Sequence, residues 1–243
     1  MKIEFLPIKT RLIRPPKDNI FDIIDSLEVK EGDIVFITSK ILAIHQGRTR
    51  KIGEYDKDAL IRSEAERFLP YVNDTGDFHV NLTVTQNVLI AAAGIDESNA
   101  DGYYILWPEK IDALCSEIRE RLMRKFGLTK LGVVATDSHT TPLRWGVTGI
   151  AIGLAGVEPL EDIRGKSDLF GREMRVTKVN LIDPLAAMAV RIMGEGAEQT
   201  PITILRGYEG ISFSETGSMK DFKIEPELDL YRALIEVMPK VKE

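Results

Sequence analysis

The fold of this chain is decided by the stretch from Ala135 to Arg172, which opens with ATDSHTTPLRWG, continues with the glycine-punctuated VTGIAIGLAGV and, after a short connection, closes with RGKSDLFGR. An apolar run from Leu131 predicts a buried strand that enters the stretch. This strand ends in the polar side chains of Asp137, Ser138 and His139, and burying polar groups without partners costs about a few kcal/mol each. Polar side chains at this position would destabilise the fold if the segment had a purely structural role. It predicts a site in which Asp137 binds a metal ion and nearby arginines bind an anionic substrate.

The composition is that of an ordinary globular protein. The 243 residues, 44% hydrophobic and 29% charged, are enough for one large unit or two small ones. A net charge of -6 without a basic run argues against a nucleic-acid partner. Cys115 is the single cysteine, so an intramolecular disulfide is excluded. We see neither a secretory leader at Met1–Ile8 nor a long apolar run, so we expect a cytoplasmic protein without a membrane partner.

Apolar periodicity predicts a mixed succession of strands and helices without a regular βαβ alternation. We therefore expect an α+β (mixed α/β) fold. No linker or repeat divides residues 1–243, so any second domain must be intertwined with the first. Strands are predicted at Ile3–Ile8, Ile34–Ile37, Val80–Val84, Val88–Ala93, Leu131–Ala135, Val147–Leu154, Met174–Val179 and Ile202–Leu205. Helices are predicted at Ile20–Leu27, Asp56–Phe68, Ile111–Phe126, Asp183–Met193 and Leu228–Met238. A turn is predicted at Asn73–Gly76.

Acidic residues recur at predicted strand ends and in glycine-flanked loops. Asp96 and Asp137 follow apolar runs, and Glu195 lies between two glycines, where the backbone can approach a ligand closely. Carboxylates and a hydroxyl such as that of Ser138 are hard oxygen ligands that suit Mg²⁺ or Mn²⁺, and these ions commonly bridge carboxylates to substrate phosphates. The alternative is that each acid merely caps a turn. Three such positions in one chain favour the metal site.

Basic residues near the central stretch are candidates for binding anions. Arg144 and Arg172 would contact phosphate or carboxylate groups. His139, two residues from Asp137, would contact substrate or act as a base near neutral pH. The alternative for the arginines is pairing with neighbouring acids on a solvated surface. The sequence contains no complete P-loop or Gly-x-Gly-x-x-Gly pattern, so any nucleotide would need another scaffold.

Several segments spread over nearly the whole chain together resemble the coenzyme F420-0:L-glutamate ligase family. Each segment is short, but together they are specific. They are Ala93–Asn99, Thr136–Ser138, Arg144–Gly146, Ala151–Gly156, Asp168–Glu173 and Met193–Gly196.

The resemblance implies a GTP-dependent ligase that adds L-glutamate through a γ-linked amide. It also implies two divalent cations, Mg²⁺ or Mn²⁺, a monovalent cation such as K⁺, a homodimer and an intertwined two-domain fold. The resemblance further implies that Asp96, Asp137, Ser138 and Glu195 are metal ligands and that Leu12, Ile13, Ser39, Lys40, Asn99, Gly194 and Gly196 lie at the nucleotide. The chemistry of the residues themselves, and not the resemblance, makes Asp137, His139 and Arg144 the candidates for catalysis and Arg172 a candidate cofactor contact.

The chain also departs from the family where substrates are expected to bind. The segment His139–Arg144 replaces a Phe-Gly-Arg-Pro-Trp-Arg type of sequence, Ile44 stands at the position of a lysine, and Gln46 and Ala92 also differ. These departures suggest the same chemistry on a different acceptor, such as a folate or pterin. A non-catalytic nucleotide-binding module and a metal-dependent phosphohydrolase are the alternatives. The choice between GTP and ATP, and the number of glutamates added, stay open.

Overall fold

A computed structural model describes residues 2–70 and 80–241, and the predicted turn at Asn73–Gly76 lies outside these ranges. The helices are α1 (Phe21–Ser26), α2 (Ser39–Gln46), α3 (Lys57–Glu64), α4 (Ile111–Phe126), α5 (Ile182–Met193) and α6 (Arg232–Glu236). The strands are β1 (Glu4–Ile8), β2 (Asp33–Thr38), β3 (Thr49–Lys51), β4 (Arg67–Leu69), β5 (Leu82–Thr85), β6 (Val88–Ala91), β7 (Tyr103–Ile105), β8 (Leu131–Thr140), β9 (Val147–Ala155), β10 (Leu160–Asp162), β11 (Lys178–Asn180) and β12 (Ile202–Arg206). The mixed helix and strand content confirms the predicted α+β fold class.

A five-stranded sheet in the order β1-β12-β2-β8-β9 forms the centre of the molecule. β2 and β8 are parallel, whereas the other neighbours are antiparallel. The apolar run of β2 is buried on both faces, because Ile34 and Phe36 pack into one core and Val35 and Ile37 into the other. This alternation confirms the strand predicted at Ile34–Ile37.

Helices cover both faces of the central sheet. α4 packs on one face through Leu114, Ile118 and Leu122, and α1 joins the same core. α5 packs on the other face. Gly127 ends α4 in a left-handed conformation with φ 64°, as predicted from its place after the last apolar residue.

The segment between β2 and β8 folds into smaller sheets beside the central one. β4, β5 and β6 form an antiparallel sheet, and β3 pairs with β7. Their shared core includes Ile61, Phe68, Tyr104 and Leu106. The predicted β5–β6 hairpin is confirmed. The division into two intertwined domains stays a prediction.

Several predicted elements have wrong bounds, and the strand predicted to end at Ala135 continues to Thr140 as β8. The helix predicted to run to Phe68 ends at Glu64, because the next residues pair with β5 and bury Phe68. In the predicted strand at Met174–Val179, only Lys178 and Val179 lie in a strand, since Val176 is 86% exposed and lacks a sheet partner. The final helix covers Arg232–Glu236 alone. None of the helices in the described parts of the chain is both long and apolar enough to cross a membrane.

Candidate active site

A cavity of about 360 Å³ lies at the carboxyl ends of the two parallel strands. Thr38 of β2 pairs with Thr136 of β8, so the residues that follow, Ser39 and Asp137, are neighbours in space. Binding sites in α/β sheets favour this edge because the loops and helix N-termini meet there. The segments that complete the wall are 10–13, 94–99, 105–107 and 190–201.

Asp137 lies at the centre of a hydrogen-bond network. Its Oδ2 accepts hydrogen bonds from Ser39 Oγ at 3.1 Å and from Trp107 Nε1, and its Oδ1 accepts one from the Ser138 backbone N–H at 2.8 Å. Burial raises the pKa of Asp137 to about 6, and the charge of Asp96 acts in the same direction, although the three donors oppose the rise. The carboxylate therefore changes its charge near neutral pH.

Asp96 has the opposite electrostatic balance in the same cavity. Burial alone would raise its pKa, but Lys40 Nζ at 2.7 Å and the donors of Ser98 hold the pKa of Asp96 below its ordinary value. Lys40 also donates to the Ser98 carbonyl at 2.8 Å. The lysine therefore ties the N-terminal turn of α2 to the loop that carries Asp96.

Glu195 lies at the exposed rim of the cavity, in the loop after α5. Partial burial of its carboxylate raises the pKa of Glu195, Lys40 opposes this, and Asp96 and Glu198 raise it further. The loop is fixed from two sides, because the Gly196 N–H donates to Glu198 Oε2 at 2.8 Å and Asn99 Nδ2 donates to the Gly196 carbonyl at 2.9 Å. Asp96 thus acts electrostatically on both Asp137 and Glu195, which come from distant segments of the chain.

The donor chemistry fits a divalent cation of the Mg²⁺ or Mn²⁺ type. The hydroxyl of Ser138 and the carboxylates of Asp96, Asp137 and Glu195 line one cavity, and the mutual repulsion of the carboxylates would be relieved by a cation. Among the residues that the structure describes, no three His, Cys, Asp or Glu side chains are grouped closely enough to hold one ion. A cation here would therefore use one or two carboxylates and take its remaining ligands from substrate and water.

The wall next to the acidic end suits an anion joined to a flat apolar group. α2 begins at the cavity, its N-cap residue Thr38 makes no side-chain capping bond, and no acid lies in its first turn. Such an end attracts phosphate oxygens. Farther along α2, Ile44 packs with Ile13 and Ile105 in an apolar cluster that reaches the cavity.

Eleven of the fourteen predicted site residues line this cavity and three do not. His139 is half-buried on β8, where burial lowers its pKa and Asp183 opposes that shift. Arg144 lies in the exposed connection between β8 and β9, and Arg172 lies in the exposed segment between β10 and β11. The cavity-lining members are Leu12, Ile13, Ser39, Lys40, Asp96, Asn99, Asp137, Ser138, Gly194, Glu195 and Gly196.

The sequence prediction missed two side chains that shape the site. No sequence pattern identifies Trp107 as a site residue, because its contact with Asp137 spans 30 positions. Glu198 was not considered, although its position three residues after Glu195 in a glycine-rich loop was a usable signal. Trp107 hydrogen-bonds to Asp137, and Glu198 fixes the loop that carries Glu195, so both residues contact parts of the site that the sequence had identified.

Comparisons with known proteins find one family to which the chain is similar. The family model described as F420-0:Gamma-glutamyl ligase matches residues 7–207. A protein named coenzyme F420:L-glutamate ligase from Methanopyrus kandleri is 35% identical over 221 residues, which are 85% of this chain and 87% of that protein. A protein of the same name from Methanothermobacter thermautotrophicus is 37% identical over 84% of this chain and 86% of that protein. Another from Archaeoglobus fulgidus is 30% identical over 97% of this chain and 99% of that protein.

Proposed function

The chain belongs to the F420-0:gamma-glutamyl ligase family, and we propose that it is a metal- and nucleotide-dependent ligase that joins L-glutamate to a carboxylate-bearing cofactor through an amide bond. The observation that carries the proposal is the convergence of Asp96, Asp137 and Glu195 with Lys40 at the N-terminus of α2. Acidic ligands beside an anion-binding helix end suit a metal-bound triphosphate.

The proposed reaction has two steps on the acceptor carboxylate. One carboxylate oxygen attacks the γ-phosphorus of the nucleotide, the nucleoside diphosphate leaves, and an acyl phosphate forms. The amine of L-glutamate then attacks the carbonyl carbon, phosphate leaves, and the new amide nitrogen loses a proton. Mg²⁺ or Mn²⁺, held by one or two of the carboxylates of Asp96, Asp137 and Glu195 with the Ser138 hydroxyl, would supply charge neutralisation for the phosphates.

The residues of the chain bind and orient the substrates in this scheme. The first turn of α2 and Lys40 face the phosphates, while the cluster of Ile13, Ile44 and Ile105 accommodates the nucleotide base. The Gly194–Gly196 loop, fixed by Asn99, lets the backbone approach the ligand closely. K⁺ is proposed as an additional cation by analogy with the family.

The proposed assembly is a homodimer. Leu143, Trp145, Leu169 and Phe170 are each at least 95% exposed, which is unusual for a group of large apolar side chains. They lie in the same two exposed segments as Arg144 and Arg172. A second copy would cover these side chains, and in that assembly the two arginines would bind anionic substrates at the partner's cavity.

Turnover tests the proposal directly. We expect purified protein with Mg²⁺ or Mn²⁺ to release nucleoside diphosphate over repeated turnovers only when L-glutamate and an acceptor are both present, with either GTP or ATP and either F420-0 or a reduced folate. Mass spectrometry of the acceptor counts the glutamyl residues added. Asp137→Asn should abolish turnover while the protein remains folded by circular dichroism.

Two outcomes would replace the proposal. Phosphate release without any need for glutamate would indicate a metal-dependent phosphohydrolase. Calorimetric binding of nucleotide without turnover on either acceptor would indicate a non-catalytic binding module. The apolar side chain of Ile44 in the cavity wall is the feature that favours this second alternative, because the family sequence has a lysine there.

A further inference from the structure

The two oxygens of the Asp137 carboxylate have different surroundings. Oδ2 accepts hydrogen bonds from two side chains, Ser39 and Trp107, whereas Oδ1 accepts only the Ser138 backbone N–H among the described residues. A carboxylate oxygen accepts about two hydrogen bonds. The capacity of Oδ2 is therefore filled by the protein, and Oδ1 keeps one acceptor position for a ligand.

An unusual backbone turn makes room for the Trp107 indole. Gly94 has φ +71°, and a Cβ atom at this position would overlap the indole Nε1, Cε2 and Cδ1 atoms. The two preceding residues, Ala92 and Ala93, also have positive φ values of 51° and 54°, which L-residues with a Cβ rarely adopt. Strain of this kind clusters at functional sites.

The strained turn and the Trp107 backbone are both held by further hydrogen bonds. The Ala93 N–H donates to Thr83 Oγ1 at 3.0 Å, and the Thr83 hydroxyl donates in turn to the Ile90 carbonyl at 2.7 Å. Arg48 Nε donates to the Trp107 carbonyl at 3.0 Å. Trp107 itself is only 2% exposed. The indole is thus rigidly placed with its one polar atom on Asp137.

We propose that Trp107 is a positioning residue for Asp137, which fixes the carboxylate and reserves Oδ1 for the divalent cation. This inference rests on the proposed function, since it takes Asp137 as a ligand of that cation. Groups that orient a metal ligand are worth about ten- to a hundredfold in metal affinity. A purely structural Trp107 would instead fill the core without affecting the binding of the cation.

The test removes the N–H group and keeps the shape of the side chain. The chain contains two tryptophans, and the other one, Trp145, is fully exposed. In a Trp145→Phe reference protein, metabolic incorporation of benzothienylalanine replaces only the Trp107 N–H by sulfur. A fluorotryptophan that keeps the N–H is the matched control. Mn²⁺ affinity by calorimetry and thermal unfolding are measured for all three proteins.

We expect the benzothienyl protein to bind Mn²⁺ about ten- to a hundredfold more weakly than the reference and to unfold at a similar temperature, while the fluorotryptophan control keeps its affinity. Unchanged Mn²⁺ affinity of the benzothienyl protein would overturn the inference and leave the proposed function standing. A reference protein that binds no Mn²⁺ at all would overturn both. If the benzothienyl protein does not fold, Trp107→Phe decides between the same outcomes.

Discussion

At the scale of single residues, one cavity holds two carboxylates with opposite pKa shifts. Burial raises the pKa of Asp137 to about 6, whereas the donors from Lys40 and Ser98 outweigh burial and lower the pKa of Asp96. Asp96 is therefore ionised throughout the neutral range, while Asp137 gains or loses a proton within it. Only the ionised form of a carboxylate binds a cation well, so Asp96 can bind a cation at a lower pH than Asp137 can.

The affinity for Mn²⁺ should therefore fall as the pH drops through about 6, by about tenfold per pH unit below that value, because the cation must displace the Asp137 proton. Calorimetric titrations in buffers of different ionisation enthalpy would detect the released proton. In Asp137→Asn the remaining affinity should lose this pH dependence. An affinity of the unsubstituted protein that stays constant across this range would contradict the assignment of Asp137.

The same pKa shift has a consequence for the metal-free protein. Its folded state holds the Asp137 proton up to about pH 6, whereas an unfolded chain releases it near the ordinary value of 3.8. The free energy of unfolding should therefore decline as the pH rises from about 4 to about 6, and this contribution stays lost above that range. Urea unfolding with and without chelator measures it. Asp137→Asn should remove this part of the pH profile.

At the scale of elements, the strands that lead to the site could be predicted from the sequence, whereas the side-chain contacts between them could not. The apolar runs predicted β2 and β8 as strands, and their parallel pairing in the structure brings Ser39 and Asp137 to one sheet edge. The register shift between Ala135 and Thr136, just before Asp137, has no sequence signature. Such irregularities re-aim side chains near active sites, and they depend on packing against distant strands.

The loop after α5 depends on one backbone conformation. Gly194 has φ 82° and ψ 165°, a region essentially restricted to glycine, and a Cβ atom there would overlap the Glu198 carboxyl group. Gly194→Ala should therefore destabilise the protein by about 1–3 kcal/mol and weaken Mn²⁺ binding by displacing Glu195. Urea unfolding and calorimetry measure the two effects.

Gly196→Ala is the matched control in the same loop. Gly196 lacks a positive φ, and its Cβ atom would lie 3.3 Å from a flexible Glu198 oxygen. This variant should unfold close to the unsubstituted protein. Equal losses in both variants would mean that the loop tolerates no side chain at either position, and the argument from the Gly194 conformation would fail.

At the scale of the whole molecule, the site combines segments from most of the chain, and the sequence motifs found them only because each motif carries its own chemistry. Asp96, Asp137 and Glu195, which were found in this way, meet in one cavity with Leu12 and Lys40, which only the family resemblance indicated. Trp107 could not be predicted, because an indole among apolar residues has no pattern that reveals a partner 30 positions away. The exposed apolar side chains of the β8–β9 connection are likewise unexplained by a single copy.

The proposed homodimer, formed through Leu143, Trp145, Leu169 and Phe170, can be tested by adding charges at its interface. Trp145→Asp and Phe170→Asp should give monomers in analytical ultracentrifugation, because a charge would be buried at the interface. Leu230→Asp is the control, since Leu230 is also highly exposed but lies near the C-terminal helix α6. Loss of association in the control as well would show that these substitutions act nonspecifically.

The proposal that Arg144 completes the cavity of the partner subunit predicts that two inactive variants restore activity when they form mixed dimers. Asp137→Asn and Arg144→Ala proteins should each have little ligase activity. An equal mixture, unfolded and refolded together, should recover about a quarter of the normal rate, because half of the dimers are mixed and each mixed dimer holds one complete site. Mixed dimers that form without any recovery would place Arg144 at the cavity of its own chain or outside catalysis.

The order of the central sheet also governs when the protein can fold during synthesis. β1 lies at one sheet edge, and β12, which ends at Arg206, separates it from β2. In the described part of the chain, β12 is the strand that β1 pairs with. β1 leaves the ribosome long before β12 and must therefore wait for it, and such long-range pairing is slow. The nascent chain exposes β1 without its partner strand during that interval, and it should depend on chaperones until β12 has emerged.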